Sequence, residues 1–270
     1  MKYNYIIIFY VFIFNSISAQ EFKIYQFSDT DIPVIDGNSD DWKCIPEEYD
    51  IDYHQLKEDE GKHKGPNENS LKVNVKVGWN EHTQKLYILY QAYDNWWRFS
   101  ENSLNTDIFE VVVDGDSSRG PFIDRFHPTA PKDVWQAWFN FHGCHAQNYH
   151  IFTPAHKEDW CMLWGPQVWL KQKPWSDYAY DYSFSEGEPG ILTLEFYITP
   201  FDHADANGPK LSKQTLLKEG NSIGLCWAII DWDKNSNSKD GFWNLSSEHT
   251  MYGNADYLCK FKLMPKEIKQ

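Results

Sequence analysis

The sequence predicts an all-β protein, an antiparallel β-sandwich of jelly-roll or immunoglobulin-like type with a few short helices. Three observations predict it: apolar side chains recur at every second position in several runs, those runs are rich in β-branched and aromatic residues, and helical periods are scarce. The central run is Leu71–Asp114. In LKVNVKVGW, Leu71, Val73, Val75, Val77 and Trp79 take one face while Lys72, Asn74 and Lys76 take the other, the pattern of a half-buried strand. KLYILYQAYD follows after a polar turn and closes an antiparallel hairpin. DIFEVVVD is a third strand with Glu110 among apolar neighbours, and a carboxylate there requires a donor, a cation or a ligand.

The remaining elements follow in order. Residues 1–19 read as an export signal: Lys2, an apolar run from Tyr5 to Phe14 too short to span a bilayer comfortably, then small residues, with cleavage expected after Ala19. The product, residues 20–270, is expected as one secreted or periplasmic domain without a membrane span. EFKIYQF is a strand, Asp36-Gly37 a tight turn, Trp42 a plug at one end of the core, and Glu47–Ser70 a solvated loop. Val134–His142 reads as a strand with Trp135, Ala137, Phe139 and Phe141 inward. Gln136, Trp138 and Asn140 then share the outward face, either a ligand-binding surface or simply a wet sheet face. Short strands are expected near Tyr149–Phe152 and Gln167–Lys171, a clear one at Ile191–Ile198, a short helix at Leu211–Glu219, a central strand ending at Asp231, and a last strand in YLCKFKL.

Composition excludes some classes. The formal charge of −14 becomes −15 once Lys2 is removed, so nucleic acid is a poor partner. With five cysteines at least one stays unpaired; Cys144 with Cys161 is the preferred bridge, Cys226 and Cys259 read equally well as buried thiols, and no C-x-x-C spacing suggests zinc. There is no G-x-S-x-G, H-E-x-x-H or phosphate-binding glycine loop. Thirteen Trp, sixteen Tyr and seventeen Phe are the strongest compositional signal, because flat rings stack on the C–H faces of sugars while amides and carboxylates bond the hydroxyls. For any single Trp, core packing is the commoner role. Trp96 and Trp97 beside Arg98, Trp175, and Trp232 with Trp243 lie at strand ends or in polar loops, where binding residues gather.

IDGNSDDW (Ile35–Trp42), the hairpin, the D-x-x-E-x-x-x-D of Asp107, Glu110 and Asp114, IGLCWAIIDWD (Ile223–Asp233) and YGNADYLCKFKL (Tyr252–Leu263) occur in an order that resembles carbohydrate-binding module family 9 and its relatives. The resemblance covers nearly all of residues 20–270. It implies a noncatalytic sugar-binding sandwich that supports polysaccharide capture or breakdown, with a glycan as ligand and carbohydrate-active enzymes as partners. Glu110 and Asn140 fall on the family's polar positions, whereas its Arg and two clamping Trp positions hold Trp138, Leu104 and Ser246. The expected carbohydrate-binding set is therefore Trp96, Trp97, Arg98, Glu110, Gln136, Trp138, Asn140 and Trp243. Relatives often hold structural calcium, and Asp231, Asp233, Asn235 and Asn237 space oxygen ligands in a way that resembles the start of a calcium loop, although Ser236 and Phe242 depart from an EF-hand and an ordinary solvated Asn/Asp turn is the commoner reading of such a run. No organic cofactor is expected. Two alternatives stand beside this reading: a glycoside hydrolase or lyase using acidic residues such as Glu110 and Asp233, and a haem-binding redox domain ligated from among Met162, Met251, His142, His150 and His249.

Overall fold

The computed structural model describes residues 21–63, 67–101, 103–123, 142–156, 159–234 and 239–267. The expected signal (1–19), the stretch 134–141 with Gln136, Trp138 and Asn140, and Asn235 and Asn237 lie outside them. In chain order the strands are β1 (Glu21–Gln26), β2 (Ile51–Asp52), β3 (Lys57–Glu58), β4 (Leu71–Asn80), β5 (Lys85–Asp94), β6 (Ile108–Asp114), β7 (Gln147–His156) and β8 (Asp159–Leu163). After these come β9 (Ser176–Asp181), β10 (Gly190–Ile198), β11 (Phe201–His203), β12 (Lys213–Gln214), β13 (Ser222–Asp231), β14 (Gly241–Asn244) and β15 (Cys259–Leu263).

Thirteen of these strands hydrogen-bond into one mixed sheet, with β11–β12 as a separate pair. The sheet folds into two facing layers because β1 changes partners along its length. Glu21–Ile24 pairs in parallel with β15, and Tyr25–Gln26 in parallel with β4. One layer runs β8-β7-β6-β13-β15 and the other β4-β5-β10-β9. The expected all-β class and the β4–β5 hairpin are present, but the parallel ladders of β1 depart from a purely antiparallel sandwich.

Alternation in β4 does what the pattern requires: Leu71, Val73, Val75, Val77 and Trp79 are all buried, and their layer meets the other through Tyr90 stacked on Phe109 at 4.3 Å. Non-directional burial of apolar area at ~25 cal/mol per Å² selects this face-to-face arrangement. Trp42 does plug the core edge, and its indole N–H donates to Glu195 Oε1 at 2.5 Å, while the Gly37 amide donates to Oε2 at 2.6 Å. Gly37 has φ +90° and a Cβ there would meet the Tyr180 carbonyl oxygen at 2.9 Å, so this turn requires glycine. The IDGNSDDW run is thus a structural clamp.

Several local expectations are corrected. Glu47–Ser70 is not merely a solvated loop: Tyr49, Ile51, Tyr53 and Leu56 are buried and β3 pairs with β14. Val168–Lys171 is a 3-10 turn instead of a strand, and Pro209–Gln214 forms a 3-10 turn and β12 where a helix was expected over Leu211–Glu219. Cys144 and Cys161 are unbridged thiols, with Cys144 Sγ accepting from Gln167 Nε2 at 3.2 Å. Cys144 precedes β7 and Cys161 lies in β8, and sharing an irregular stretch of sequence was no guide to pairing.

Candidate functional site

Glu110 sits in the middle of β6. Phe109 and Val111 point between the layers, so by strand alternation Glu110 points outward, onto the far face of its layer. Antiparallel pairing places His150 directly across from it and Asn148 two residues along β7 on the same face. Asn148 Nδ2 donates to Glu110 Oε1 at 2.8 Å and His150 Nε2 lies 3.3 Å from the same oxygen. Both contacts fall on Oε1, which leaves Oε2 to the cavity above.

That cavity holds about 210 Å³ and is lined by Leu104, Glu110, His150, Trp164, Ile230, Lys239, Phe242, His249 and Tyr252. This is below the ~300–1,000 Å³ of drug-sized sites, a size for a single small ring. Trp164 packs against the His150 ring at 4.9 Å. The ring nitrogens of His142 lie 2.6 Å from the Trp164 carbonyl oxygen and 2.9 Å from that of Tyr252; burial lowers this imidazole to about 4, and the neutral ring donates to one of the two. On the opposite rim Asp59 binds His249 Nδ1 at 2.9 Å and Glu60 binds Lys239 at 2.8 Å, so the residues after β3 fasten both basic groups. Three larger clefts among the described residues, of about 500, 490 and 400 Å³, lie elsewhere; none is lined by a buried carboxylate or histidine.

Burial raises the Glu110 carboxyl to about 7, against the Asn148 hydrogen bond and the charges of Lys239 and His249, which lower it. Burial also drives His150 down to about 3, so the imidazole is neutral at neutral pH. The pair is a carboxyl and a neutral imidazole sharing one hydrogen-bonding face, and it presents a half-ionised acceptor to a ligand hydroxyl.

A second cluster adjoins this wall. Asp94 at the end of β5, Asp107 before β6 and Asp231 at the end of β13 are all buried and offer carboxylate oxygens within 4.8 Å of one another. Asp107 is held by the amides of Arg98 at 2.6 Å and Trp232 at 2.8 Å, and Asp94 by that of Trp96 at 2.9 Å. Asp231 Oδ1 is buried with no hydrogen-bond partner among the described residues. Asp94 is raised to about 7, by burial first and then by Asp233 and Asp240; Asp107 is raised well above the carboxylate range by burial and by Asp94 and Asp231, and Asp231 by burial and by Asp94, Asp233 and Asp240. Three buried acids with an orphan oxygen are the donor set of a hard divalent cation, which would reverse this mutual repulsion.

The predicted site residues divide between these two places. Glu110 lines the pocket, and Leu104 stands at its edge as a wall without an aromatic ring. Trp97 is 1% exposed and stacked on Phe184 at 4.9 Å, a core residue with no face for a sugar. Trp243 is 5% exposed with the His63 ring 5.6 Å away, and its neighbour Phe242 reaches the pocket instead because adjacent strand residues point to opposite faces. Trp96 lies under Lys234 Nζ at 4.9 Å and Arg98 over the Trp232 ring at 4.9 Å; both flank the acid cluster and not the pocket. Asp231 belongs to the cluster, with Asp233 raised beside it by burial and by Asp240. Asp94 and Asp107, Asn148, His150, Trp164 and Tyr252 were not singled out together from sequence. Period-two alternation of Asn148 and His150 opposite a buried Glu was the available signal, and it needed the β6–β7 register.

No protein-family model matches the sequence, and no curated protein matches it. Solved structures do resemble it. A family 9 carbohydrate-binding module from Caldicellulosiruptor kristjanssonii in complex with cellotriose superposes with a TM-score of 0.57 at 13% identity, over 92% of this chain and 95% of that one. A structure of a family 9 module from the same organism in complex with glucose gives a TM-score of 0.57 at 12% identity, over 93% and 99%. At this identity the likeness extends to the fold, which is the one the ordered motifs implied.

Proposed function

We propose that the chain is an exported, noncatalytic sugar-binding module, and that it holds one ring of a neutral glycan in the Glu110 pocket. The observation that carries this reading is a buried carboxylate whose free oxygen faces a small cavity walled by Trp164, Phe242 and Tyr252. A sugar ring stacks a C–H face on such a wall while a hydroxyl donates to Glu110 Oε2. His150 and Asn148 keep the carboxyl in place, and the His142 ring lies against the backbone carbonyls of both Trp164 and Tyr252. The family 9 modules of like fold were solved with cellotriose and glucose, which makes these the first ligands to test. Polysaccharide capture beside carbohydrate-active enzymes is the role that follows.

Among the described residues lining the pocket, Glu110 is the one carboxylate, whereas glycoside hydrolysis employs two flanking the scissile bond. Asp233, the other conceivable catalytic acid, stands with the acid cluster. A cavity of about 210 Å³ has no room for a haem macrocycle.

We assign calcium to Asp94, Asp107 and Asp231, with Asp233 alongside, in a structural role. Its oxygen-only donor set suits a hard cation, and joining the ends of β5, β6 and β13 is what a structural ion does.

Calorimetry of residues 20–270 against glucose, cellotriose and a panel of neutral oligosaccharides tests the sugar reading. Saturable heat without turnover on long incubation, lost in Glu110→Gln, supports it; silence across the panel refutes it.

A further inference from the structure

The pocket and the acid cluster share a wall, residue by residue. Ile230 lines the pocket and the next residue, Asp231, belongs to the cluster. Lys239 lines the pocket, and the next residue, Asp240, raises the carboxyls of Asp94 and Asp231 through its charge. Leu104 lines the pocket, and its carbonyl accepts the Trp232 indole N–H at 3.2 Å while the Trp232 amide donates to Asp107 at 2.8 Å. The Asp240 amide donates to the Asp231 carbonyl at 2.6 Å, so the two sides of this wall are tied to each other. A clasp crosses it from outside: Glu60 grips Lys239 at 2.8 Å, and His63 Nε2 lies 2.9 Å from Asp240 Oδ2.

Three carboxyl groups converge within 4.8 Å of one another at the ends of β5 and β13 and just before β6, and Asp231 Oδ1 has no hydrogen-bond partner among the described residues. Left uncoordinated, these ends can separate, and separation carries Ile230, Lys239 and Leu104 away from Glu110. A divalent cation at the cluster draws the same ends together.

We infer that cation binding at Asp94, Asp107 and Asp231 and sugar binding at Glu110 are thermodynamically linked through this wall, the cation acting as a positive effector of the sugar site. The inference rests on both readings above. Linkage makes the effect reciprocal: the factor by which calcium tightens sugar binding equals the factor by which sugar tightens calcium binding.

The test is a four-cornered calorimetric cycle on the full chain, with glucose and cellotriose titrated in calcium and in chelator, and calcium titrated with and without saturating sugar. The expected result is a gain in sugar affinity of about fivefold or more, matched in the calcium titration. Hydrogen exchange at Lys239–Trp243 should slow on adding calcium alone. Unchanged sugar affinity in a protein that shows calcium heat overturns the linkage while leaving both sites standing. Absence of calcium heat overturns it together with the cation assignment, and absence of sugar heat in both buffers overturns it together with the sugar reading.

Discussion

Calcium and protons should compete for the cluster at the end of β5, and the competition is measurable as stability. Asp94 titrates near 3.8 when exposed and about 7 in the fold. A raised folded value contributes stability that is complete below pH ~3.8 and lost as pH climbs through about 7. At ~1.36 kcal/mol per pKa unit the loss for Asp94 alone is on the order of 4 kcal/mol; Asp107 and Asp231 change in the same direction. The chelated protein should therefore be less stable at pH 8 than at pH 5. Calcium at a hundred times its dissociation constant restores ~2.7 kcal/mol, and at ~2–4 °C per kcal/mol for a chain of this size that is a rise in Tm of about 5–11 °C. At pH 5 the acids are protonated and the rise should shrink to a small fraction of this. Thermal unfolding followed by circular dichroism, with calcium and with chelator at each pH, gives the four values. A calcium-induced rise as large at pH 5 as at pH 8 would refute the reasoning, because the cation would then be binding elsewhere.

Three further outcomes follow from the same geometry. Glu110→Gln keeps an acceptor for Asn148 and should fold normally while sugar affinity falls at least about tenfold, whereas Glu110→Ala removes the 2.8 Å acceptor of Asn148 Nδ2, leaving it only the Tyr252 carbonyl at 3.5 Å, and costs ~1–3 kcal/mol; calorimetry and denaturant unfolding separate the two. Wild-type sugar affinity should rise as pH passes upward through about 7, where Glu110 ionises and becomes a full acceptor, and Glu110→Gln should abolish that step. Trp164→Ala should remove sugar binding at little cost in stability, while Trp97→Ala, in the core, should cost ~3–5 kcal/mol, as equilibrium unfolding of both variants would report.

Much of the fold could be read from local pattern because period two is a property of the chain alone. β4, β5, β6, β10 and β13 lie where alternation and β-branched runs put them, and Glu110 stood out because a carboxylate in such a run needs a partner. Irregular stretches were read less well. Glu47–His63 is polar in composition, yet Tyr49, Ile51, Tyr53 and Leu56 anchor it and Asp59 and Glu60 fasten the pocket rim, contacts made with residues about 180 positions away. Aromatic content named a ligand class without naming the rings. Trp97 and Trp243 lie beside polar loops in sequence and are buried in space, while Trp164, in the least regular part of the chain, was brought to Glu110 by the β6–β7 and β7–β8 registers.

What the sequence by itself determined was the all-β class and the buried carboxylate Glu110 in β6, since both depend on which residues shun water along a strand. Only the tertiary structure decided which donors meet Glu110 Oε1, which three aspartates converge, and that the two sites share a wall. Those depend on strand register and on the change of partners in β1, and a slip of one residue would turn Asn148 and His150 to the other face.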